Sequence, residues 1–493
     1  MSGGQSDSHG NGPQPGTLHR ELGFWQTASL SVGVMAPTLA MSVTGAAAAA
    51  LLGRAATLAF VLAAAGVGLV AYGFLRLAAQ FSHAGSVYAF VGHTLGPRAG
   101  FVAGWALLGT YLVFPPVSIT GVAIFGRAFL DSSGIAPGID WFPVAVVGWA
   151  VIWLLAARGV RPTTRGLLAF EGVSVALVLL LAAVIWVRLA GGHAPGGQVL
   201  TADVLRLPAG TSGSTLALAA TSGFLAFAGF ESAASLGEES FAPTRAIPRA
   251  IVAAVAFGAV CYVLVMAAQS LGFGTDAAGV AAFAGSETPL DDLGRTYVGR
   301  WLAVALDLGA TLSALGAGLG GVTVASRMLF AFARDGLAWA PLNRRLRSVE
   351  AGSGAPRQAL ALEMIIGIAL LAAFRLAGTA PLRVFFYLAT PGVLSLLAMY
   401  LLTNVAAARH LLARSPLEVV LPALGCVIAG YVLYRNVWPI PDPPFEVFPY
   451  LVAGWLVIGV VLAAAAPSLA ARVARGLALD RAPVRADQPA GPG

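Results

Sequence analysis

The chain has 493 residues, of which 58% are hydrophobic and 10% are charged, and its mean hydropathy is +0.82. A soluble domain carries about 25% charged residues, so this composition excludes an ordinary soluble protein and predicts a polytopic membrane protein. All basic residues are arginine, and the net charge of +7 is interpreted loop by loop as an orientation signal, not as a nucleic-acid-binding surface. Cys261 and Cys426 lie in apolar runs and indicate neither a disulfide framework nor a metal site.

Apolar runs of about 20 residues, the length that crosses a bilayer, predict an all-α integral membrane protein with twelve transmembrane helices. Residues 1–22 are polar and rich in Gly, Ser and Pro, and residues 473–493 are short and featureless, so both are predicted to be disordered tails. The predicted spans are 27–50, 55–79, 99–129, 141–157, 167–187, 214–236, 250–273, 299–332, 358–378, 384–408, 416–434 and 447–470.

Arginine placement predicts the orientation of these spans. Cytoplasmic loops carry an excess of basic residues, and most of the 29 basic residues fall on one side when the N-terminus is placed inside. An even number of spans returns the chain to the side on which it started. Both tails are therefore predicted to be cytoplasmic, in a multi-pass protein of the plasma membrane.

The first span contains an interruption in the run SVGVMAPTLAMSVTG, residues 31–45. Pro37 removes a backbone donor and clashes with the preceding turn, so it breaks or kinks the helix. Gly33, Thr38 and Ser42 loosen the same region. Taken alone, the run is explained equally well by an ordinary proline kink that neighbouring helices satisfy.

A second interruption lies in the sixth span, in the run GFLAFAGFESAASLGEESF, residues 223–241. Gly229 costs about 1 kcal/mol relative to Ala in a helix interior. Glu231 costs roughly 2.5–3.5 kcal/mol deep in a bilayer. A helix that accepts both residues at one turn is expected to be discontinuous there, with its freed backbone facing a cavity or a solute.

The two interruptions together indicate how the chain is organised. Interrupted spans at corresponding places in two halves are the best sequence indication of a binding site in transporters built from inverted repeats. Breaks in spans one and six predict a five-plus-five arrangement. Residues 23–190 form the first repeat, 191–410 form the second, and 411–472 form two peripheral helices.

Three further features of the spans carry predictions. An acid inside a membrane is a functional candidate, so Glu171 in span five is a candidate proton relay. The alternative is structural: the carboxylate pairs with a loop arginine or caps a freed amide. Glu363, near the start of span nine, is expected to extend its charged end to the interface. In span ten, Thr390, Pro391 and Gly392 are expected to disrupt the helix.

The end of span eight, SRMLFAFARDG at residues 326–336, predicts a cytoplasmic latch. Arg327 and Arg334 straddle the inner interface, and Asp335 is available to pair with an arginine. Glu238 and Glu239 lie in the loop after span six and are assigned to the same side, as latch or topology signal rather than as substrate contacts.

Three stretches together resemble the amino acid–polyamine–organocation (APC) superfamily of permeases, in particular bacterial amino acid permeases. They are AGSVYAFVGHTLGPRAGFVAGW at 84–105, FLAFAGFESAASLGEESFAPTRAIPRAI at 224–251 and SRMLFAFARDG at 326–336. The first is similar to the signature that leads into span three of that family, the second to its span-six signature and the third to the end of its span eight. The resemblance covers roughly residues 20–470.

The resemblance implies a LeuT-type fold with discontinuous helices one and six, and transport of amino acids or related amines. It places the polar head of the substrate at the two breaks, where free amides face a carboxylate and unwound carbonyls face an ammonium group. Phe227 or Phe230 is a candidate gate over the substrate, with core packing as the alternative. The substrate-binding residues expected on this basis are Val34, Met35, Ala36, Pro37, Thr38, Phe227, Ala228, Gly229, Phe230 and Glu231.

The sequence departs from the family pattern at two places. Ala36-Pro37-Thr38 replaces a Gly-rich turn in span one. Some relatives carry a span-five lysine that takes part in proton coupling, and Ser174 falls at that position, with Glu171 one turn earlier. That coupling mechanism therefore does not transfer, and the candidates for coupling in this chain are Glu171, Ser174 and Glu231.

These observations predict a secondary active transporter that imports an amino acid or related amine by alternating access. A proton is favoured over sodium as the coupling ion, and no cofactor, metal or nucleic acid is expected. Obligate exchange and polyamine or ethanolamine transport are the alternatives within the class, and a membrane nutrient sensor is the alternative outside it. A monomer or loose dimer is expected. An enzyme is not, because the scattered acids have no catalytic spacing.

Overall fold

The structure is a computed structural model that describes residues 22–81, 85–158, 160–336, 340–348, 356–465, 468 and 471–475. Nearly all regular structure within these residues is helical, and its one β-type pairing is an isolated bridge between Leu22 and Ser240. The predicted tails lie outside the described residues, except for Leu22 and residues 473–475. Leu22 is fully buried, because its backbone pairs with Glu239 and Phe241.

The first half of the described chain forms eight α-helices. They are α1 (Phe24–Met35), α2 (Pro37–Leu52), α3 (Ala56–Ala78), α4 (Val87–Leu95), α5 (Pro97–Ser133), α6 (Trp141–Ala156), α7 (Val160–Ala190) and α8 (Gly213–Phe227).

The second half begins with a 3₁₀ helix, Phe230–Leu236, and continues with nine α-helices. They are α9 (Pro243–Phe273), α10 (Ala277–Gly285), α11 (Pro289–Tyr297), α12 (Arg300–Arg334), α13 (Ala340–Leu346), α14 (Arg357–Leu376), α15 (Pro381–Leu412), α16 (Val420–Val437) and α17 (Val447–Ala465).

The all-α membrane class predicted from composition is confirmed. Among the described residues, ten helical stretches are long and apolar enough to cross a membrane. One of them, Phe24–Ala78, covers the first two predicted spans, and the 16-residue helix Trp141–Ala156 coincides with the fourth. Each predicted span overlaps a helix of the structure, while crossing of the bilayer by all twelve stays a prediction.

Two expectations about local structure were wrong. Residues 87–95 lie between the second and third predicted spans, where a loop is expected, but they form α4, since the apolar run VYAFV packs inward and the helix ends only at Gly96, ahead of Pro97. The disruption expected in span ten is absent, because α15 continues through Pro391. The helix tolerates the missing donor because α15 packs against α5, α16 and α3, which hold it in place.

Helices α5 and α12 form the centre of the molecule. They pack against each other, while α7 lies against α12 and α15 lies against α5. Small residues permit this close packing: β-carbons at Gly121 and Gly321 would meet Leu39 and Pro115. Helices α16 and α17 are the most exposed of the apolar helices, and they lie at the edge of this bundle.

Candidate functional site

The first helix break lies at Ala36, between α1 and α2. Ala36 adopts φ 44° and ψ 66°, the left-handed region that non-glycine residues seldom occupy. Pro37 begins α2 at the position where its missing N–H is least costly. Since Ala36 offers no side-chain cap, the first turn of α2 depends on other groups for its amides.

The second break separates α8 from the 3₁₀ helix. Ala228 leaves the helical conformation with ψ 126°, and Gly229 follows with φ 112° and ψ −11°. A glycine is required at this position because its φ is one that L side chains rarely adopt. The break predicted from Gly229 and Glu231 therefore lies where the structure leaves the α-helix.

The two breaks lie against each other. A β-carbon at Gly229 would be 2.5 Å from Val34 Cγ1. The Ser31 hydroxyl donates to the Phe230 carbonyl at 2.7 Å and accepts from the Ala233 amide at 3.2 Å. Ser31 thus ties α1 to the 3₁₀ helix, and it holds the two interrupted segments as one unit.

Glu231 is almost completely buried, with 1% of its surface exposed. Its Oε1 accepts from the Tyr111 hydroxyl at 2.8 Å, and its Oε2 accepts from the Tyr400 hydroxyl at 3.0 Å and from the Gly229 amide at 3.2 Å. The carboxyl group therefore joins α5, α15 and the second break. An amide at the start of the 3₁₀ helix is bonded to Glu231 instead of being open to a solute.

A cavity of about 50 Å³ lies at the first break. Its walls are almost entirely apolar, and Ser118 and Thr44 supply its only hydroxyl-bearing side chains among the described residues. The lining residues are Val34, Met35, Ala36, Leu39, Ala40, Thr44, Phe114, Val117, Ser118, Leu225, Ala228, Ala317 and Phe385.

The expected substrate-binding residues divide into two groups. Four of them, Val34, Met35, Ala36 and Ala228, line the cavity. The others do not line it and lie around it. Those residues are Pro37, Thr38, Phe227, Gly229, Phe230 and Glu231.

Neither candidate gate faces the cavity. Phe227 is fully buried, with its ring centroid 4.9 Å from that of Tyr262. Phe230 is fully buried between Phe74 and Tyr400, at 5.4 Å from each. In this conformation the two side chains pack in the core, which was the alternative interpretation. The aromatic side chains that line the cavity are those of Phe114 and Phe385.

Glu171 lies in α7 behind the first break and is 4% exposed. Its Oε1 accepts from the Ser313 hydroxyl at 2.9 Å, and the Ser313 oxygen accepts from the Leu39 amide at 3.2 Å. The hydroxyl of Ser174, the other span-five candidate, donates to carbonyls of its own helix, at Phe170 and Glu171. Glu171 is thus connected to the start of α2 through a single side chain of α12.

The residues predicted to form a latch lie together. Arg327 makes two bonds to Glu239, at 2.6 and 3.2 Å, and both side chains are buried. Arg334 bonds Glu238 at 2.9 Å and contacts Asp335 at 3.4 Å, and Tyr88 Oη donates to Asp335 at 2.7 Å. We call these six residues the latch.

The expectation for Glu363 was wrong. Its side chain is fully buried instead of reaching the interface, and neither carboxyl oxygen has a hydrogen-bond partner in the part of the chain that the structure describes. The side chain points into the packed face of α14, between the buried residues Ala359 and Gly367, so its direction was set by helix packing.

Three residues of the site escaped sequence reasoning, namely Tyr111, Tyr400 and Ser313. Each is a common residue in an apolar run, without a local pattern that marks it. Only the packing of α5, α15 and α12 around the breaks brings these three side chains to Glu231 and Glu171.

Comparison with known proteins agrees with this geometry. The family model described as amino acid permease matches residues 22–462, which is most of the chain. The chain is 28% identical to the branched-chain amino acid permease BcaP of Bacillus subtilis, over 65% of this chain and 68% of that protein. It is 29% identical to an uncharacterized transporter of Mycobacterium tuberculosis, over 85% and 87% of the two chains.

A plant protein is more distantly similar. Cationic amino acid transporter 3, mitochondrial, of Arabidopsis thaliana is 25% identical over 68% of this chain and 55% of that protein. The region matched by the family model, residues 22–462, includes both helix breaks, the cavity and the latch. The chain belongs to the amino acid permease family of the APC superfamily, and it is a multi-pass membrane transporter of amino acids.

Proposed function

We propose that this permease imports a small apolar amino acid, of the branched-chain class, across the plasma membrane. The observation that carries the proposal is the apolar cavity at the first helix break. Leu39, Val117, Phe114 and Phe385 surround a space that suits an aliphatic side chain. BcaP of Bacillus subtilis, a relative of this chain, is named for branched-chain amino acids.

Backbone groups at the break suit the polar end of such a substrate. Ala36 supplies no side-chain cap to α2, and although the Leu39 amide is bonded to Ser313, the amide of Thr38 has no hydrogen-bond partner among the described residues. Amides at a helix N-terminus attract a carboxylate. The last carbonyls of α1 lack partners within their helix and suit an ammonium group.

Polyamine transport is less well supported by the same cavity. A polyamine carries two or more cationic groups, and each of them requires an acidic or carbonyl partner when it is desolvated. Among the described residues that line the cavity, none is acidic. Glu231, the nearest acid of the second break, is already bonded by two tyrosines and an amide.

We further propose transport by alternating access in a LeuT-type five-plus-five fold of twelve spans, with cytoplasmic termini. The pairing of α1–α2 with α8 and the 3₁₀ helix supports this arrangement, since these are the interrupted elements of the two halves. The latch residues are paired with one another, and the Arg327 and Glu239 side chains are buried. The conformation is therefore one that is closed toward the latch.

Coupling to protons is the final part of the proposal. The described residues include buried carboxyl groups, Glu171 among them, that lack an arginine partner. An acid of this kind is more stable with a proton bound when it is enclosed. Obligate exchange remains the alternative mechanism for the same binding site.

A ligand screen and a transport assay test the proposal together. Thermal unfolding of the purified protein is measured with each amino acid, with putrescine and with ethanolamine. A ligand that binds only the folded state at 100 times its Kd stabilises it by about 2.7 kcal/mol. We expect stabilisation by leucine, isoleucine and valine. Stabilisation by amines alone would contradict the substrate class.

Uptake into proteoliposomes then separates the coupling mechanisms. An inward proton gradient should drive leucine accumulation, and a protonophore should abolish it. Uptake that requires sodium and resists the protonophore would contradict proton coupling. Exchange of internal for external leucine without net accumulation would favour the antiport alternative.

A further inference from the structure

Glu171 combines deep burial with incomplete pairing. The side chain is 4% exposed, and within the described part of the chain Oε1 has one bond, from Ser313, and Oε2 has no hydrogen-bond partner. No arginine lies within ion-pair distance of it among the described residues. An ionised carboxylate in such a place is costly, because one hydrogen bond does not replace its hydration. The enclosed conformation therefore favours the neutral acid.

Among the residues that the structure describes, the surroundings of Glu171 supply no compensating cation. The helices packed against α7 near Glu171 include α1, α2 and α6, and these carry no titratable side chain. From α9 the titratable groups that face Glu171 are Cys261 and Tyr262, both of which are uncharged when buried. Asp307 of α12 lies six residues before Ser313. The charged residues of α11 are Asp291, Asp292 and Arg295, and α11 lies near the Arg188 end of α7.

Ser313 connects this acid to the substrate site. The Ser313 hydroxyl has one proton, which it donates to Glu171, and its oxygen accepts from the Leu39 amide. Leu39 belongs to the first turn of α2 and its side chain lines the cavity. The bond that holds Leu39 and the bond that holds Glu171 therefore share one oxygen atom, which connects the carboxyl group to the first turn of α2.

Buried polar atoms without a partner among the described residues also lie on the helices around Glu171 and the start of α2. Besides Glu171 Oε2, the hydroxyls of Thr38 and Tyr262 are buried and have no hydrogen-bond partner among the described residues. Thr38 precedes Leu39 in α2, and Tyr262 lies in α9, which packs on both α1 and α7. Buried polar groups are ordinarily paired with protein or water, so this cluster is suited to water and to passage of a proton.

We propose that Glu171 is the proton-binding group of transport and that Ser313 transmits its protonation state to the α1–α2 break. This inference rests on the proposed proton-coupled uptake. A proton from water on the outer side forms an O–H bond at Glu171 Oε2 while the site is closed toward the latch. When the latch side opens and water reaches Glu171, that bond breaks and the proton passes to cytoplasmic water. The resulting charge favours the hydrated, open arrangement.

The test compares wild type, Glu171→Gln and Ser313→Ala in proteoliposomes with radiolabelled leucine. Two assays are run, namely exchange of internal for external leucine without a gradient, and accumulation driven by an inward proton gradient. One-to-one coupling to a gradient of about one pH unit supports at most about tenfold accumulation. Glu171→Gln should keep exchange, because a neutral amide resembles the protonated acid, and should lose gradient-driven accumulation.

Ser313→Ala retains the acid and removes its connection to α2. We expect leucine uptake by this variant to remain active, with a shifted pH profile and a smaller accumulation ratio. Because it leaves the carboxyl group in place, it keeps the test decisive if Glu171→Gln fails to fold. If Glu171 had only a structural role, the variants would give less folded protein, but the pH profile of leucine uptake by the protein that folds would not change.

Two matched controls accompany these variants. Glu363→Gln removes another buried, unpartnered carboxyl group, and Thr323→Val removes an α12 hydroxyl that bonds only its own helix. Both should accumulate leucine as wild type does. Accumulation by Glu171→Gln equal to wild type would overturn the assignment. Wild-type exchange without accumulation would contradict proton coupling itself, and absence of wild-type exchange would contradict the proposed substrate class.

Discussion

Val34 packs directly against Gly229 where the two interrupted helices meet. A β-carbon at residue 229 would lie 2.5 Å from Val34 Cγ1 and 2.9 Å from its carbonyl carbon. On its other side, Val34 packs on Gly320 of α12. The first break is therefore held in position by a side chain that only a glycine at the second break accommodates.

Gly229→Ala is accordingly expected to impair transport. The added methyl group forces the breaks apart, and overpacking of this kind costs about 1–3 kcal/mol. The alanine also has an unfavourable φ at this position. Leucine uptake should fall at least about tenfold, while the protein still reaches the membrane, as measured by uptake in cells and by immunoblot of membranes.

Gly68→Ala is the matched control for this prediction. Gly68 lies within α3, and a β-carbon there would meet no atom within 4 Å. Alanine favours a helix more than glycine does, so normal uptake and unchanged or higher stability are expected. Equal uptake by both variants would show that close contact of the breaks is not needed.

The bonds of Glu231 lead to a second prediction. In Glu231→Gln one acceptor oxygen becomes an NH₂ group, so a buried donor from Tyr111, Tyr400 or Gly229 loses its partner. A buried group left unpaired costs about 1–3 kcal/mol. We expect a lower unfolding temperature and strongly reduced uptake.

Tyrosine variants test whether these groups act as a unit. Tyr111→Phe and Tyr400→Phe each remove one donor and should reduce uptake less than Glu231→Gln does. Combining either with Glu231→Gln should add less than the separate effects, because the partners are shared. If the decreases in unfolding temperature were strictly additive, or if Glu231→Gln showed normal uptake, the hydrogen bonds of Glu231 to Tyr111, Tyr400 and Gly229 would not act as a unit.

The latch gives a third prediction, which depends on burial. The Arg327 and Glu239 side chains are 6% and 3% exposed, whereas those of Arg334 and Glu238 are 30% and 22% exposed. Breaking a buried pair costs about 3–5 kcal/mol, whereas an exposed pair contributes about 0–1 kcal/mol. Glu239→Gln should therefore open the latch side far more than Glu238→Gln does.

Cysteine labelling measures this opening. In a background with Cys261→Ala and Cys426→Ala, Ser240→Cys is a buried reporter whose native hydroxyl lies 3.2 Å from that of Thr27. Glu239→Gln should accelerate its reaction with a maleimide. Phe241→Cys, at a position that is 63% exposed, should react at the same rate in all backgrounds. Unchanged labelling of residue 240 would rule out a closing role for the buried pair.

The fourth prediction concerns selectivity. Leu39 lines the cavity, and Leu39→Ala removes three carbon atoms from its wall. A missing methylene contact in an apolar pocket is worth about 1–3 kcal/mol, so the affinity for leucine should fall about tenfold or more. The larger space should admit phenylalanine, which is measured by competition with radiolabelled leucine.

Leu77→Ala is the comparison for that variant. Leu77 is fully buried in α3 and does not line the cavity. Its truncation should lower the unfolding temperature and leave the ratio of leucine to phenylalanine affinity unchanged. A change of that ratio in Leu77→Ala, or none in Leu39→Ala, would place the side-chain pocket elsewhere.

The fifth prediction concerns α17, which contacts α5 through two tryptophans. Trp105 Nε1 donates to the Trp455 carbonyl at 2.8 Å, and Trp455 Nε1 donates to the Trp105 carbonyl at 2.9 Å, with the rings stacked at 4.3 Å. Trp455→Phe removes one bond, worth about 0.5–1.5 kcal/mol. It should lower the unfolding temperature without affecting leucine uptake.

A double-mutant cycle checks this contact. If the two indoles interact directly, Trp105→Phe combined with Trp455→Phe should destabilise the protein by a different amount from the sum of the single changes. Additive effects would mean that each ring acts only by filling space. Loss of uptake in Trp455→Phe would show that α17 is more than a peripheral support.

The sequence by itself determined the all-α membrane class, the positions of the apolar spans and the two places where helices are interrupted. These features depend on local chemistry. About 20 apolar residues suffice to cross a bilayer, and a proline such as Pro37 or a glycine such as Gly229 weakens a helix locally. The same local reasoning was wrong for Pro391, because neighbouring helices decide whether a proline ends a helix.

The partners of the buried polar groups were decided only by the tertiary structure. Tyr111 and Tyr400 lie 120 and 169 residues from Glu231, and Ser313 lies 142 residues from Glu171. Each pairing depends on how long helices are rotated and tilted against one another, and a local pattern contains no information about that. For the same reason Phe227 and Phe230 point into the core, whereas Leu39, Phe114 and Phe385 surround the cavity.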